Sequence, residues 1–278
     1  MADIYGCHFE YAGVSSRQHG LIIVSMNAER ITQLGGERKS VTIFDKKSGK
    51  QYFVDEDKSE SALSFDMEII TDGERSLSPE ERREIERWLF RQHNYCKFYI
   101  DKSDSVHGED YEYIDGELKR NYLNCRFVNP RKIESGGAVI GYSFTLEADS
   151  DMFWQDAIKK TYQLNNDSED STTVIDVTVD SDINDYTYPT VTINTGSIGG
   201  DILISNNSDD STRITQFNDV LPSSKIIMSG EMNYIKDPQY YSKFIQRNFV
   251  RLLDGVNKIL IIGDVSSIVF EFQNRRAF

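Results

Sequence analysis

Between residues 63 and 70 apolar side chains recur at every second position: Leu63, Phe65, Met67 and Ile69 are interleaved with the polar Ser64, Asp66 and Glu68 and then with Ile70, and the run stops at Thr71-Asp72-Gly73. Successive side chains of an extended chain point to opposite faces, so this period of two predicts a strand with one face in a core. Apolar runs at 4–9 and 21–24, separated by the Gly/Ser-rich stretch 12–20, predict a pair of strands; 38–44 and 51–54 flank Asp-Lys-Lys-Ser-Gly and predict a hairpin. Further strands are expected at 96–100, 111–114, 122–127 and 138–148, with a turn at 129–137 between the last two. The sum is an antiparallel set of roughly seven or eight strands, the size of a sandwich.

One stretch breaks this pattern. In SPEERREIERWLF, residues 78–90, Ile85, Trp88 and Leu89 fall on one helical face. Ser78 can accept from the amide of Glu81, Glu81 can reach back to Ser78, and Pro79 suits the first helical position, where its missing donor costs nothing. Acidic Glu80, Glu81 and Glu84 lie near the positive end of the helix dipole, and Arg87 and Arg91 near the negative end. The expectation is one short amphipathic helix, about 78–93, covering a face or end of the β-structure. Trp88 is its largest buried contact, read as core and not as a platform for a ligand.

The strand pattern stops and restarts around 165–173, NNDSEDSTT, which is polar, acidic and free of aromatics. This marks a linker between an N-terminal domain at 1–164 and a C-terminal domain at 174–278. Beyond it Val174, Val177 and Val179 are interleaved with Asp176, Thr178 and Asp180, and strands are expected at 190–194, 201–205, 225–228, 258–262 and 267–272, divided by Gly199-Gly200, Asn206-Asn207, Asp254-Gly255 and Gly263-Asp264. The fold class is therefore mainly β: two antiparallel sandwiches, the first carrying the helix, the second a jelly-roll or galectin-like sandwich. Residues 237–253 place apolar side chains too irregularly to choose between a loop and a helical turn.

Charge narrows the partners. The chain carries a formal −14, with 22 basic and 29 acidic residues up to Leu164 and 9 and 16 after it, so the acidity is spread evenly. Such a chain repels phosphate backbones, and no basic stripe interleaved with aromatics is present, so specific nucleic-acid binding is not expected. The longest apolar runs, such as 21–24 and 259–262, are strand-sized, and no basic-then-apolar leader opens the chain; neither membrane insertion nor secretion by signal peptide is expected. Cys7, Cys96 and Cys125 are odd in number and widely spaced, which reads as reduced thiols in a cytoplasm and not as a disulfide framework or metal site.

Motifs that could carry chemistry fail on inspection. Asp180-Ser-Asp-Ile-Asn184 begins like a calcium loop, but Asp185 stands where glycine must turn the chain and Val191 where a bidentate glutamate belongs; a surface acidic cluster is the better reading. His8, His19, His93 and His107 lack zinc spacing. The TGSIGGD stretch at 195–201 lacks the Lys-Ser/Thr of a phosphate loop and reads as a turn. Tyr186, Tyr188, Tyr234, Tyr240 and Tyr241 could stack on sugars or anchor a protein, though core packing with the hydroxyl at the rim is expected for most. No catalytic, cofactor-binding or metal-ligating residue is singled out, and no cofactor is expected.

Three stretches in order resemble the distal tail proteins of phages with long, non-contractile tails, a family found also in prophages. They are IYGCHFEYAGVSSRQHGLIIVS at 4–25, FVNPRKIESGGAVIGYSFTLEADSDMFWQD at 127–156 with its Gly-Tyr-x-Phe strand and its Phe153-Trp154 pair, and FVRLLDGVNKILIIGDVSSIVFEFQNRR at 249–276 with Leu-x-x-Gly-x-Asn at 252–257. The resemblance implies a non-enzymatic structural hub of a tail tip or baseplate, located in the virion tail and assembled in the bacterial cytoplasm. Its first domain would form a hexameric ring joined to the tail tube protein. Its second domain would point toward a tail-associated lysin, fibre or receptor-binding protein, with a cell-surface glycan as a further partner. An acidic ring also suits passage of DNA, since cationic walls would hold phosphates. The alternative reading is a carbohydrate-binding, lectin-like adhesion module.

Overall fold

The structure is a computed structural model describing residues 7–26, 41–45, 50–54, 62–101, 111–164, 168, 170–182, 185–209 and 212–276. It divides into two compact units, the first running to Trp154 and the second from Gln155 to Arg276. The division expected at 165–173 therefore differs from the observed one. Ile158–Gln163 pairs residue for residue with Ser267–Phe272 of the second unit, and the next strand of that unit begins at Thr172, so most of 165–173 connects two strands of one unit and its end belongs to the second of them. A polar acidic run marks a solvent-exposed connection; it does not say whether the connection leaves the domain.

The first unit holds β1 (His8–Tyr11), β2 (Val14–Ser15), β3 (Leu21–Met26), β4 (Val41–Asp45), β5 (Lys50–Val54), β6 (Ser64–Thr71), α1 (Pro79–Phe90), β7 (Cys96–Asp101), β8 (Tyr111–Ile114), β9 (Glu117–Ser135), β10 (Ala138–Ala148) and β11 (Phe153–Gln155). Seven of these strands form one antiparallel path, β2-β1-β7-β9-β10-β6-β3. The path curls: a bridge between Cys7 and Ile23 brings its two ends together, the Ile23 amide donating to the Cys7 carbonyl at 2.9 Å. Closing a sheet removes the exposed edges at which chains aggregate. The alternation read at 64–71 is the observed one, with Phe65, Met67, Ile69 and Thr71 buried. The hairpin read at 38–54 is present as β4 paired with β5, although its turn, like 38–40, lies outside the described residues.

One expectation changes here. The composition of 129–137 predicts a turn, but β9 continues through these residues to Ser135, and only Gly136 and Gly137, both at positive φ, make the two-residue hairpin to Ala138. Such a turn matches the right-handed twist of the strands on either side. The register shift between Ser143 and Thr145, with Asn129 at φ 54°, shows how β9 accommodates Pro130: a bulge takes the residue that cannot donate. In the Gly-Tyr-x-Phe strand, Gly141 lies so close to β6 that a Cβ would come within 2.1 Å of the Ile69 carbonyl oxygen, while Tyr142 and Phe144 are buried.

Helix α1 has the capping box read from its sequence. Ser78 Oγ accepts from the Glu81 amide at 3.2 Å, and the Ser78 amide donates to Glu81 at 2.8 Å. Arg75 adds an ion pair to Glu81 at 2.8 Å. That guanidinium, with the Ser78 amide, holds the Glu81 carboxyl down at about 2 from an ordinary 4.5. A depressed carboxylate stabilises the folded state above its unfolded pKa, and its contribution is lost as pH falls from about 4.5 toward about 2. Glu81→Gln, which can still complete the cap but not the ion pair, should flatten the acid limb of the first unit's stability curve by no more than about 1 kcal/mol, because the pair is solvent-screened. Acid titration of thermal unfolding checks this.

The second unit is assembled from β12 (Ile158–Gln163), β13 (Thr172–Val179), β14 (Thr190–Thr195), β15 (Gly200–Asn206), β16 (Ile214–Val220), β17 (Lys225–Ser229), β18 (Tyr234–Ile235), β19 (Phe244–Arg247), β20 (Gly255–Ile262), β21 (Val265–Phe272) and β22 (Arg275–Arg276). Two five-stranded sheets, β12-β21-β14-β17-β18 and β13-β20-β15-β16-β19, hold between them Val177, Ile193, Ile204, Phe217, Ile259, Ile268 and Phe270. The first strand thus pairs with the last long one and the second with the next to last, the nested order of a jelly roll. The undecided stretch 237–253 contributes a 3-10 turn at Pro238–Tyr240 and the edge strand β19, whose Phe244 stacks on Phe217 at 4.8 Å.

Candidate functional site

The side chains that looked able to do chemistry are taken up by the fold. Trp88 is 8% exposed, stacked between Phe9 at 5.7 Å and His19 at 4.9 Å, and its Nε1 donates to the Tyr11 carbonyl at 2.8 Å. His8 Nδ1 lies 3.0 Å from the Leu21 carbonyl, His93 is exposed, and His107 lies outside the described residues. Among the described residues no three His, Cys, Asp or Glu side chains lie together as metal ligands would. Asp180 and Asp182, the start of the failed calcium loop, both face Arg276, at 2.9 and 3.5 Å.

The glycine-rich turn at 195–201 does hold an anion, and the anion is internal. Asp264, 1% exposed, accepts from the amides of Ile198 and Gly199 at 2.7 Å each. A Cβ on Gly196 would fall within 2.0 Å of that carboxylate. Backbone amides converging on one point form an anion nest, and here a side chain from the turn between β20 and β21 fills it. The Gly263-Asp264 pair was visible only as a turn signal.

The Leu-x-x-Gly-x-Asn stretch has an equally internal role. Asn257, fully buried, donates to the Leu253 carbonyl at 2.8 Å and the Val177 carbonyl at 3.2 Å. It accepts from the Leu253 amide and from Asn206, both at 2.8 Å. Gly255 supplies φ 87° at the bend, and Leu252 bridges to Thr187. The motif is a loop clamp at the entrance to β20.

What remains is surface. In the first unit a groove of about 540 Å³ crosses the sheet beside the β9 bulge, walled by Asp66, Glu68, Arg131, Ser143 and Thr145, with Thr145 donating to Asp66 at 2.9 Å. A cleft of about 270 Å³ at the C-terminal end of α1 shares Arg131 and adds Phe90, Arg91 and Tyr142. Burial and the neighbouring Glu86 carboxylate push the Tyr142 hydroxyl's pKa above its usual value, so it stays protonated and donates to Glu86 at 3.2 Å. In the second unit the tyrosines divide differently from expectation. Tyr240 is buried and Tyr186 lies under the Arg251 guanidinium at 3.7 Å, but Tyr188, Tyr234 and Tyr241 are each about two-fifths exposed, and Met232 is 72% exposed. Gly230 packs on Tyr188, Tyr234 sits on the two-residue edge strand β18, and the Tyr241 hydroxyl accepts from the Ile235 amide at 3.0 Å. Open grooves of mixed charge and outward aromatic rings are suited to contacts with other macromolecules.

Among the described residues, a curled antiparallel sheet braced by one capped helix is followed in the chain by a jelly roll. The chain matches the family described as phage tail protein N-terminal domain over residues 4–150 and the one described as phage tail C-terminal domain over 142–272. It belongs to this phage tail protein family. Its fold is similar to that of the SPP1 Dit protein, described as a paradigm of the hub adsorption apparatus in phages infecting Gram-positive bacteria, with a TM-score of 0.64 and 10% identity over 97% of this chain and 98% of that one. Chains of the phage p2 baseplate in its activated conformation, with calcium and with strontium, are similar at a TM-score of 0.50 and 7% identity, covering 96% of this chain and 97% and 98% of theirs. No curated protein matches. The distal tail fold expected from the three sequence stretches is the fold observed, and no helix among the described residues is long and apolar enough to cross a membrane.

Proposed function

We propose that the chain is a structural hub of a phage or prophage tail tip, a non-enzymatic component of the virion tail that assembles as a hexameric ring. The first unit, at about 1–154, forms the ring and meets the tail tube protein. The jelly roll presents its loops to a tail-associated lysin, fibre or receptor-binding protein. The observation that carries this reading is the extent of the likeness to SPP1 Dit, which covers both chains almost end to end. Two modules in one order, with no large insertion, are what a shared architectural role requires. A closed ring needs a heterologous interface that returns on itself, and the open grooves of the first unit are candidates for one side of it.

Light-scattering mass and negative-stain microscopy of the purified chain, alone and mixed with the tail tube protein, test this. Six-fold rings under either condition support the hub; a monomer under both contradicts it. The outward Tyr188, Tyr234 and Tyr241 favour a second reading, a carbohydrate-binding module, since tyrosine rings stack on sugar faces. A monomer that is retarded in gels containing cell-wall polysaccharide, with Tyr234→Ala removing the retardation, would establish that reading instead.

A further inference from the structure

Cys96 and Cys125 are 29 positions apart in sequence, yet they are directly opposite one another in the β7–β9 pairing. Facing residues of an antiparallel pair have Cα atoms about 4.5 or 5.5 Å apart, depending on whether they are hydrogen-bonded to each other, and both values lie inside the roughly 4.4–6.8 Å range that a disulfide spans. Their side chains lie on the same side of the sheet: Phe98 and Leu123, two positions along each strand and again directly paired, are core residues, as is Cys125. The Tyr11 ring packs against this point, with its hydroxyl 3.4 Å from the Cys125 carbonyl and in contact with Cys96. Cys7, Cys96 and Cys125 are not joined by disulfides in the structure.

We infer that Cys96 and Cys125 form a redox-modifiable dithiol that closes to a cross-strand disulfide between β7 and β9. The two thiols have different roles in closure. Cys125 is fully buried, and burial, with Cys96 and Asp149 nearby, raises its pKa, so it is a poor first nucleophile. Cys96 is partly exposed, its Sγ donating to the Asn94 carbonyl at 3.5 Å at the rim of the sheet. The Cys96 thiolate attacks a small-molecule disulfide of the glutathione type, forming a mixed disulfide and releasing one thiolate. The Cys125 thiol then gives up its proton and attacks the Cys96 sulfur, the Cys96–Cys125 bond forms, and the second glutathione leaves. Two protein thiols are oxidised by two electrons, and one oxidant disulfide is reduced to two thiols. A reducing compartment keeps the pair open and an oxidising one closes it. Closure ties residues 96–125 into a loop and fixes the middle of the curled sheet. The inference does not depend on the tail reading.

The test treats the purified full-length chain with excess oxidised glutathione, then alkylates, digests and maps the peptides by mass. The expected product has lost two hydrogens, retains one alkylatable thiol at Cys7, yields a crosslinked Cys96–Cys125 peptide, and raises the first unit's Tm by about 5–10 °C, reversed by dithiothreitol. Cys96→Ser should abolish the crosslink and the shift, and Cys7→Ser should leave both. Three alkylatable thiols after treatment, a persistent glutathione adduct at Cys96, or a crosslink involving Cys7 or a second chain would each overturn the inference. Peptide mapping of the unsubstituted chain decides it even if a variant fails to fold.

Discussion

Trp88→Ala is expected to lower the stability of the first unit by about 3–5 kcal/mol, the range for removing a large buried aromatic. Three losses coincide at this residue. The indole fills the space between Phe9 and His19, and small neighbours cannot move in, because Phe9 is also packed on Phe98 at 5.7 Å. The Tyr11 carbonyl loses its donor in a buried setting. The helix loses the side chain that pins it to the sheet; Ile85 and Leu89 remain but are smaller. Trp88→Phe restores a ring without the N–H and should recover most of the stability, leaving a deficit of about 1–2 kcal/mol. Calorimetry reads the effect as a fall of about 6–15 °C in the first unit's transition with the second unit's transition unchanged. If both transitions fall together, Trp88 does not act locally as described.

Asn257→Ala should destabilise the jelly roll by about 3–5 kcal/mol, because one truncation strands several buried groups at once. The Leu253 amide and the carbonyls of Leu253, Val177 and Gly255 each lose this contact, and the Asn206 amide group is left with the Arg251 carbonyl at 3.0 Å. Asn257→Asp distinguishes hydrogen bonding from volume: it keeps the acceptor but turns donor contacts to three carbonyls into repulsive ones, so it should be no better than alanine. Urea unfolding followed by tyrosine fluorescence measures both. A change below about 1 kcal/mol for Asn257→Ala would mean that water substitutes for the amide and that the motif is not a clamp.

The parts of the fold legible in sequence are those whose signal is local. The capping box of Ser78 and Glu81 rests on residues three apart and the strand expected at 63–70 on its period of two; the first is observed and the second appears as Ser64–Thr71. What was illegible depends on pairing. The strand at Ile158–Gln163 looks like the end of the first domain until its partner at Val265–Phe272 is known. Ile214–Val220 escaped notice because Thr215 and Asn218 dilute its apolar positions, although Thr215 is buried with its hydroxyl bonded to the Asn248 carbonyl at 2.5 Å. Asn129-Pro130 suggests a turn by composition, and only the bulge explains how a strand passes through it. For the same reason Cys96 and Cys125 read as isolated thiols and Asp264 as part of a turn: their partners are far away in sequence.

The surfaces were less legible than the core. A tyrosine's identity does not say which way it faces: Tyr188 and Tyr241 lie in connecting segments and Tyr234 on the two-residue edge strand β18, and all three face outward. The chain belongs to a phage tail protein family and folds as two units, each with its own buried core.

The central claim, a hub at the tip of a tail, is tested most directly by labelling tailed particles that contain this chain with an antibody raised against it and viewing them by electron microscopy. The account predicts label confined to the distal end of the tail, with quantitative mass spectrometry giving six copies per particle. Label along the tube or on the head, or intact tails from which the chain is missing, would contradict it.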